Sequence, residues 1–334
     1  MNQRRGSGGS GRSGGRGGAN TRGGGKSQGQ GRGAQGGGRG KGGGRPNDRR
    51  GSARRNDSGG RRSGQRGTTP MRDAPTPGAS GGSRVKGLGG DQVEGRHAVR
   101  ELLLADTRRT REIIFAGDLD PAPILEEIVD LADEAKVPIR SLSRSKFESL
   151  ARTDAPQGVV AMAAPIQGYE LEDLVRRQGP TAPFLLVLDG VTDPQNLGSI
   201  LRVAECAGVT GVVLPRHRAA RITASVTKSA AGAVEHLRLC HVAGVPSALQ
   251  RLRELEVWTV GLDMVAETTV FDLRVATDPV ALVLGAEGSG ISRLARERCD
   301  VVARIPLHGS LGSLNVSTAA AVACYEVVRR RDQP

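Results

Sequence analysis

The sequence predicts an α/β fold built on a parallel sheet buried on both faces, and three observations predict it. Apolar runs without polar alternation, such as Phe-Leu-Leu-Val-Leu-Asp at 184–189, recur through the second half of the chain. Strands covered on both faces read that way. Helical stretches separate these runs, as the crossovers of a parallel sheet require. Finally, polar, glycine-containing stretches follow strands at three places, where loops beyond the carboxyl ends of such a sheet take ligands.

Composition divides the 334 residues sharply. Residues 1–90 hold 20 of the 48 Lys+Arg but 3 of the 35 Asp+Glu, a net +17 against +13 for the whole chain, which leaves −4 for residues 91–334. This tail has no Phe, Trp or Tyr and carries most of the 49 glycines. It buries too little apolar surface to offset chain entropy, so 1–90 is expected to be disordered. Its Arg-Gly and Gly-Gly-Arg units suit electrostatic contact with a polyanion, RNA before others, although a merely solubilising extension has the same composition. No secretory signal is legible, and no apolar run reaches the roughly 18 residues of a membrane span. The four cysteines and five histidines show no ligand spacing. That pattern predicts no metal, reduced thiols, a cytoplasmic setting and no membrane.

Folded structure is expected from Asp91. Residues 95–105 read as a helix, 112–116 as a strand, 122–136 as a helix with Ile124, Leu125, Ile128, Leu131 and Ala132 on one face, and 137–142 as a strand. A short helix with Ser145 and Glu148 at capping-box spacing follows, then a strand at 157–164. Residues 166–183, rich in Pro and Gly, read as a linker. Beyond it strands are expected at 184–189, 211–215, 237–242, 257–262, 280–285 and 301–305. Helices are expected at 194–207, 223–233, 246–255, 291–298 and 314–331.

Three stretches carry candidate chemistry. In Leu188–Gly208, Asp193-Pro194 is an N-cap and first-turn pair, and Asn196, Ser199 and Arg202 wind a polar row along an otherwise small, apolar helix. Arg202 there needs an anionic partner or a route to solvent, and a plain surface arginine satisfies the second. In Leu282–Ser292 the glycines fall as G-x-x-G-x-G, which is neither a Rossmann fingerprint nor a P-loop, so a nicotinamide dehydrogenase fails on this pattern. Glu287 between them is a site residue or an ordinary turn residue. In Ile305–Glu326, Gly309 and Gly312 alternate with Ser310 and Ser313 before a helix opening near Asn315, where unpaired N–H groups await partners. A capped helix after a glycine-rich turn reads the same.

Taken together, Asn196-x5-Arg202, Leu284-Gly-Ala-Glu-Gly and Ile305-Pro-Leu followed by Ser313-Leu-Asn-Val-Ser317 resemble the three motifs of the SpoU (TrmH-like) RNA ribose 2′-O-methyltransferases. Residues 91–165 resemble the small L30e-like RNA substrate-binding domain that precedes the catalytic domain in many members. Leu188–Gly198 is most similar to the subfamily that methylates a guanosine of large-subunit (23S) ribosomal RNA, although Ala155-Pro156 stands before Gln157 where that subfamily often carries a His. The resemblance implies a SPOUT-type parallel sheet with a carboxyl-terminal trefoil knot over 184–334, S-adenosylmethionine as cofactor, and a homodimer acting on RNA. It places the cofactor among Gly261, Leu284, Gly285, Ala286, Gly288, Ile305, Leu307, Ser313 and Leu314, and catalysis on Asn196, Arg202, Glu287, Asn315 and Ser317.

Family proposals make the Arg202 equivalent a base, but a guanidinium holds its proton too tightly. A phosphate-holding, alkoxide-stabilising role suits it better. Two rival readings remain at this stage: a non-catalytic RNA-binding or ribosome-assembly factor, and a tRNA ribose methyltransferase. The segregated charge generates a prediction of its own. Full-length protein and a chain starting at Asp91 should modify the same nucleotide, with the truncated form binding RNA more weakly at low salt and the difference shrinking as salt rises. RNA affinity across a salt series checks this, and coincident salt slopes would sink it.

Overall fold

A computed structural model describes residues 87–177, 179–217 and 219–333, so the basic tail lies outside the described residues up to Lys86. Ordered contacts begin before Asp91: Leu88 is buried and its N–H donates to the Ile166 carbonyl at 2.9 Å.

The first domain holds β1 (Gln92–Glu94), α1 (Arg96–Ala105), β2 (Thr110–Ala116), α2 (Pro123–Glu134), β3 (Ile139–Leu142), α3 (Arg144–Leu150) and β4 (Val159–Ala163). Its sheet runs β1-β4-β2-β3, with β2 and β3 parallel and the other pairs antiparallel. Strand alternation sends Ile113 and Phe115 toward α1 and α2, and Ile114 toward Phe147 of α3. The sequence reading missed β1, whose Gln-Val-Glu has no apolar run. It is held by the buried Glu94 carboxylate, which accepts from Gln92 Nε2 (2.8 Å) and from the N–H groups of Arg152 (2.6 Å) and Thr153 (3.0 Å). The expected capping box is also corrected. Ser143 occupies the N-cap of α3, while Ser145 lies inside the helix and Glu148 pairs with Arg144 at 3.1 Å.

Residues 166–183 are more than a linker. They contain α4 (Leu171–Val175), whose Leu171 and Leu174 enter the core, and Gly168 bridges to Leu239. Then follow β5 (Phe184–Asp189), α5 (Pro194–Cys206), β6 (Gly211–Pro215), α6 (Ala224–Ser229), β7 (Leu239–Val242), α7 (Val245–Glu254), β8 (Trp258–Leu262), β9 (Thr268–Thr269), β10 (Val280–Gly285), α8 (Arg293–Arg298), β11 (Val301–Arg304) and α9 (Val316–Arg331). Helix α6 ends earlier than its composition suggests, because Ala231 (φ 50°) and Gly232 (φ 88°) turn left-handed.

The seven strands pair in the order β7-β6-β5-β10-β8-β11-β9, all parallel. Alternate residues feed two cores. Leu186, Leu188, Leu282 and Leu284 face α5, α6 and α9, whereas Leu185, Val187 and Val283 face α4, α7 and α8. Consecutive strands spread from β5 on one side, and the chain returns to β10 on the other. A crevice is expected at the carboxyl ends where the order switches. Arg331 locks the last helix onto the sheet's far end, donating to the carbonyls of Ala182 (2.7 Å), Ala276 (2.9 Å) and Asp278 (2.7 Å). Burial pushes the thiols of Cys240, Cys299 and Cys324 up to about 12, so they act as packing groups.

Helices α5 and α6 meet where Gly198 has no side chain. A Cβ there would meet Ser229 and come within 2.9 Å of the Val226 carbonyl. Gly198→Ala should therefore destabilise the protein by about 1–3 kcal/mol through overpacking, read as a lowered denaturation midpoint at unchanged slope.

Candidate active site

Four loops converge at the switch point. Asp193 caps α5, its carboxylate accepting from the Asn196 N–H at 2.7 Å, with Pro194 in the first turn. This sets Asn196 at the helix entrance, facing the loop after β10.

That loop folds back on itself. Ala286 and Gly290 exchange backbone hydrogen bonds of 3.0 and 2.9 Å, and a Cβ on Gly285 would collide with the Gly290 backbone. Gly288 (φ 81°) and Gly290 (φ 66°) make the reversal in the left-handed region. Asp189, at the end of β5, accepts from the Ser292 N–H at 2.8 Å and ties the loop's far end down. Glu287 is left at the exposed tip.

Helix α9 supplies the next side chain. Asn315 is its N-cap, the Oδ1 accepting from the Ser317 N–H (2.9 Å) and Oγ (2.6 Å). Its Nδ2 donates to Asn196 Oδ1 (2.9 Å) and Glu287 Oε1 (3.2 Å), while Asn196 Nδ2 donates to Glu287 Oε2 (3.1 Å). Four expected residues, Asn196, Glu287, Asn315 and Ser317, thus form one connected polar cluster.

Beside the cluster lies a cleft lined by Leu284, Gly285, Ala286, Glu287, Gly288, Ile305, Leu307, Ser313 and Leu314. Two expected residues stand apart from this cleft. Gly261 is not among the lining residues; its missing side chain makes room for Ile291 and Cys299, within 2.8 and 2.9 Å of where a Cβ would stand. Arg202 is exposed, about 9 Å along α5 from Asn196 at helical rise. It lines a separate groove with His97, Glu101, Glu205, Cys206 and His236.

Sequence reasoning missed Leu262, Asp263, Met264, Gly290, Val316 and Ala319, which also line the cleft. Leu262 ends β8, the neighbour of β10, with Asp263 and Met264 just after it, and only the strand order marks that loop as part of the site. Asp263 pairs with Arg296 at 3.4 Å. The cleft offers apolar walls, backbone polar groups and two carboxylates, a surface suited to a ligand with apolar and cationic parts. A further cavity in the first domain, between Leu119, Phe147 and Pro156, holds none of the expected residues.

Comparison with known proteins places this architecture. Residues 183–325 match the family model of the SpoU rRNA methylase family, and residues 92–169 match that of RNA 2′-O ribose methyltransferase substrate binding. The 23S rRNA (guanosine-2′-O-)-methyltransferase RlmB of Yersinia pestis is 41% identical over 240 residues, covering 72% of this chain and 97% of that protein. The Pseudomonas aeruginosa protein of the same name is 39% identical over 245 residues, with 72% and 97% covered. Among solved structures, the SpoU methyltransferase AviRb of Streptomyces viridochromogenes, in complex with AdoMet, superposes with a TM-score of 0.61 at 25% identity, covering 72% of this chain and 90% of that one. With matched models over both domains and relatives near 40% identity along nearly their whole length, the chain belongs to the SpoU rRNA methylase family.

Proposed function

We propose that the chain transfers a methyl group from S-adenosylmethionine to the ribose 2′-hydroxyl of a guanosine in 23S ribosomal RNA. The observation that carries this reading is the Asn196–Glu287–Asn315 cluster standing at the rim of an apolar cleft. The substrate follows from the activity by which the relatives are named.

The cleft residues suit S-adenosylmethionine. Leu262, Met264, Ile305, Leu307 and Leu314 would flank its apolar parts, and the carboxylates of Asp263 and Glu287 would face its cationic ones. When bound, the cofactor supplies an electrophilic methyl group. The chain's own residues then do the positioning. Glu287 fixes both asparagine amides, Ser317 fixes the Asn315 carbonyl, and the cluster holds the ribose so that its hydroxyl meets the methyl in line.

Arg202 serves by binding RNA phosphate and stabilising the developing alkoxide. Because one copy leaves it remote from the cleft, it acts across the interface of a homodimer. The same reading makes residues 91–165 an L30e-like RNA-binding domain and residues 184–334 a knotted catalytic domain. For the knot, the support is that α8 and α9, which flank β11 in the chain, pack on opposite faces of the sheet. A cytoplasmic setting accompanies a ribosomal substrate; no described helix is long and apolar enough to cross a membrane.

Purified protein with labelled S-adenosylmethionine and 23S rRNA should yield a methylated guanosine ribose, and no incorporation into that RNA would overturn the reading. Arg202→Ala should lower turnover at least about 10²-fold while leaving cofactor affinity unchanged; near-normal turnover would remove Arg202 from the chemistry. Gly285→Ala should abolish cofactor binding in calorimetry, since the added methyl prises the 285–290 closure open. Unchanged affinity in that variant would show that the loop does not shape the site.

A further inference from the structure

We infer that Arg108 and Glu235 form a joint that fixes the orientation of the substrate-binding domain on the catalytic domain, and thereby sets RNA affinity. The inference rests on the RNA reading above. Arg108 lies between α1 and β2 of the first domain; Glu235 ends the short 3-10 turn after α6 in the second. Their side chains are 5% and 1% exposed. Arg108 Nε and Nη2 grip the two carboxylate oxygens at 2.8 and 2.6 Å, a bidentate pair. Its remaining Nη1 donates to the carbonyls of Gly90 (2.6 Å) and Ala164.

Those two carbonyls sit where the chain enters β1 and where it leaves β4. One guanidinium therefore collects both connections of the first domain and anchors them on the second. The two domains have separate hydrophobic cores, and apolar contact fixes orientation loosely because it is non-directional. A buried fork of hydrogen bonds is directional, and it tolerates little rotation before leaving a charge unpaired. Around it the surfaces close in register: a Cβ on Gly232 would lie 2.8 Å from Glu101 Cγ, and His236 Nε2 meets Glu101 Oε2 at 3.0 Å.

The joint also shapes the groove that holds Arg202. His97 and Glu101 of α1 form one wall, Arg202 and Glu205 of α5 the other. Tilting the first domain changes the width of that groove. An RNA gripped by both domains gains from their fixed spacing, because the second contact then forms at high effective concentration.

Glu235→Gln tests this in the full chain, with Arg108→Lys as the second variant should the first fail to fold. Either should raise the RNA dissociation constant and KM about tenfold or more, while kcat at saturating RNA and S-adenosylmethionine affinity stay within about twofold. Amide exchange should quicken at the joint, around residues 90, 164 and 232–236, and not in β5 or β10. Unchanged RNA affinity with a joint shown open by exchange would overturn the inference, as would a joint that stays protected. A parallel fall in kcat and cofactor affinity would reduce the pair to general stability. RNA affinity is read by direct binding as well as by KM, so a wild-type protein that methylates nothing would count against the proposed function alone.

Discussion

The candidate site depends on one approach of backbone to backbone. Gly285 ends β10 so close to Gly290 that no side chain fits between them, and the Ala286–Gly290 hydrogen bonds hold that closure. Everything polar at the rim follows. The closure lifts Glu287 to a tip, where its two oxygens accept from Asn196 on α5 and Asn315 on α9. Asn315 can reach it only because it caps α9, its carbonyl turned back to Ser317. Three elements far apart in sequence are thus registered by a turn of six residues.

The sheet makes that registration possible. Strands β5 and β10 are neighbours, paired from Phe184–Val280 to Asp189–Gly285, so the loops after them leave side by side. Small residues on the covering helices bring α9 close: Ala320 and Ala323 are buried against the core that α5 also covers. Helical packing here is set by what is missing from the side chains, as Gly198 against α6 also shows. Arg331 then holds the other end of α9, so both termini of the helix are anchored to the sheet.

How much of this the sequence disclosed varies with the physics of each element. Strands 184–189, 211–215 and 280–285 match residue for residue, because a strand buried on both faces writes itself as an unbroken apolar run. The short strands β1 and β9 left no such run; β1 depends on the buried Glu94 and its distant donors. Residues 166–183 looked like a linker because Pro and Gly outweigh Leu171 and Leu174, whose burial is a tertiary fact. At the site, motif spacing picks out Asn196, Glu287, Asn315 and Ser317, which the fold joins by hydrogen bonds. Asp263 and Met264 stayed hidden, since nothing but strand order places their loop beside β10. Gly261 and Arg202 mark the opposite limit. A glycine near a strand end makes room on either face of the sheet, and here it makes room for Ile291 and Cys299. An arginine six residues from Asn196 shares its helix without sharing its side.

The polar cluster bears on where selectivity for one nucleotide resides. Asn196 spends its amide on Glu287 and its carbonyl on Asn315; Asn315 spends its amide on both and its carbonyl on Ser317. Asn315 is saturated by these bonds, and if the donor left on Asn196 and the acceptors left on Glu287 take up the ribose, as proposed, the cluster keeps little for distinguishing base edges. Reading a base takes free donors and acceptors at a defined distance from the reacting hydroxyl. Such groups belong to surfaces beyond the cluster, and a surface on a second domain is useful for this only if its distance to the cluster is fixed. A fold that concentrates its chemistry in a self-satisfied cluster therefore transfers the burden of choice to the geometry between its domains. A buried, directional contact such as Arg108 to Glu235 is the kind of contact that fixes such geometry.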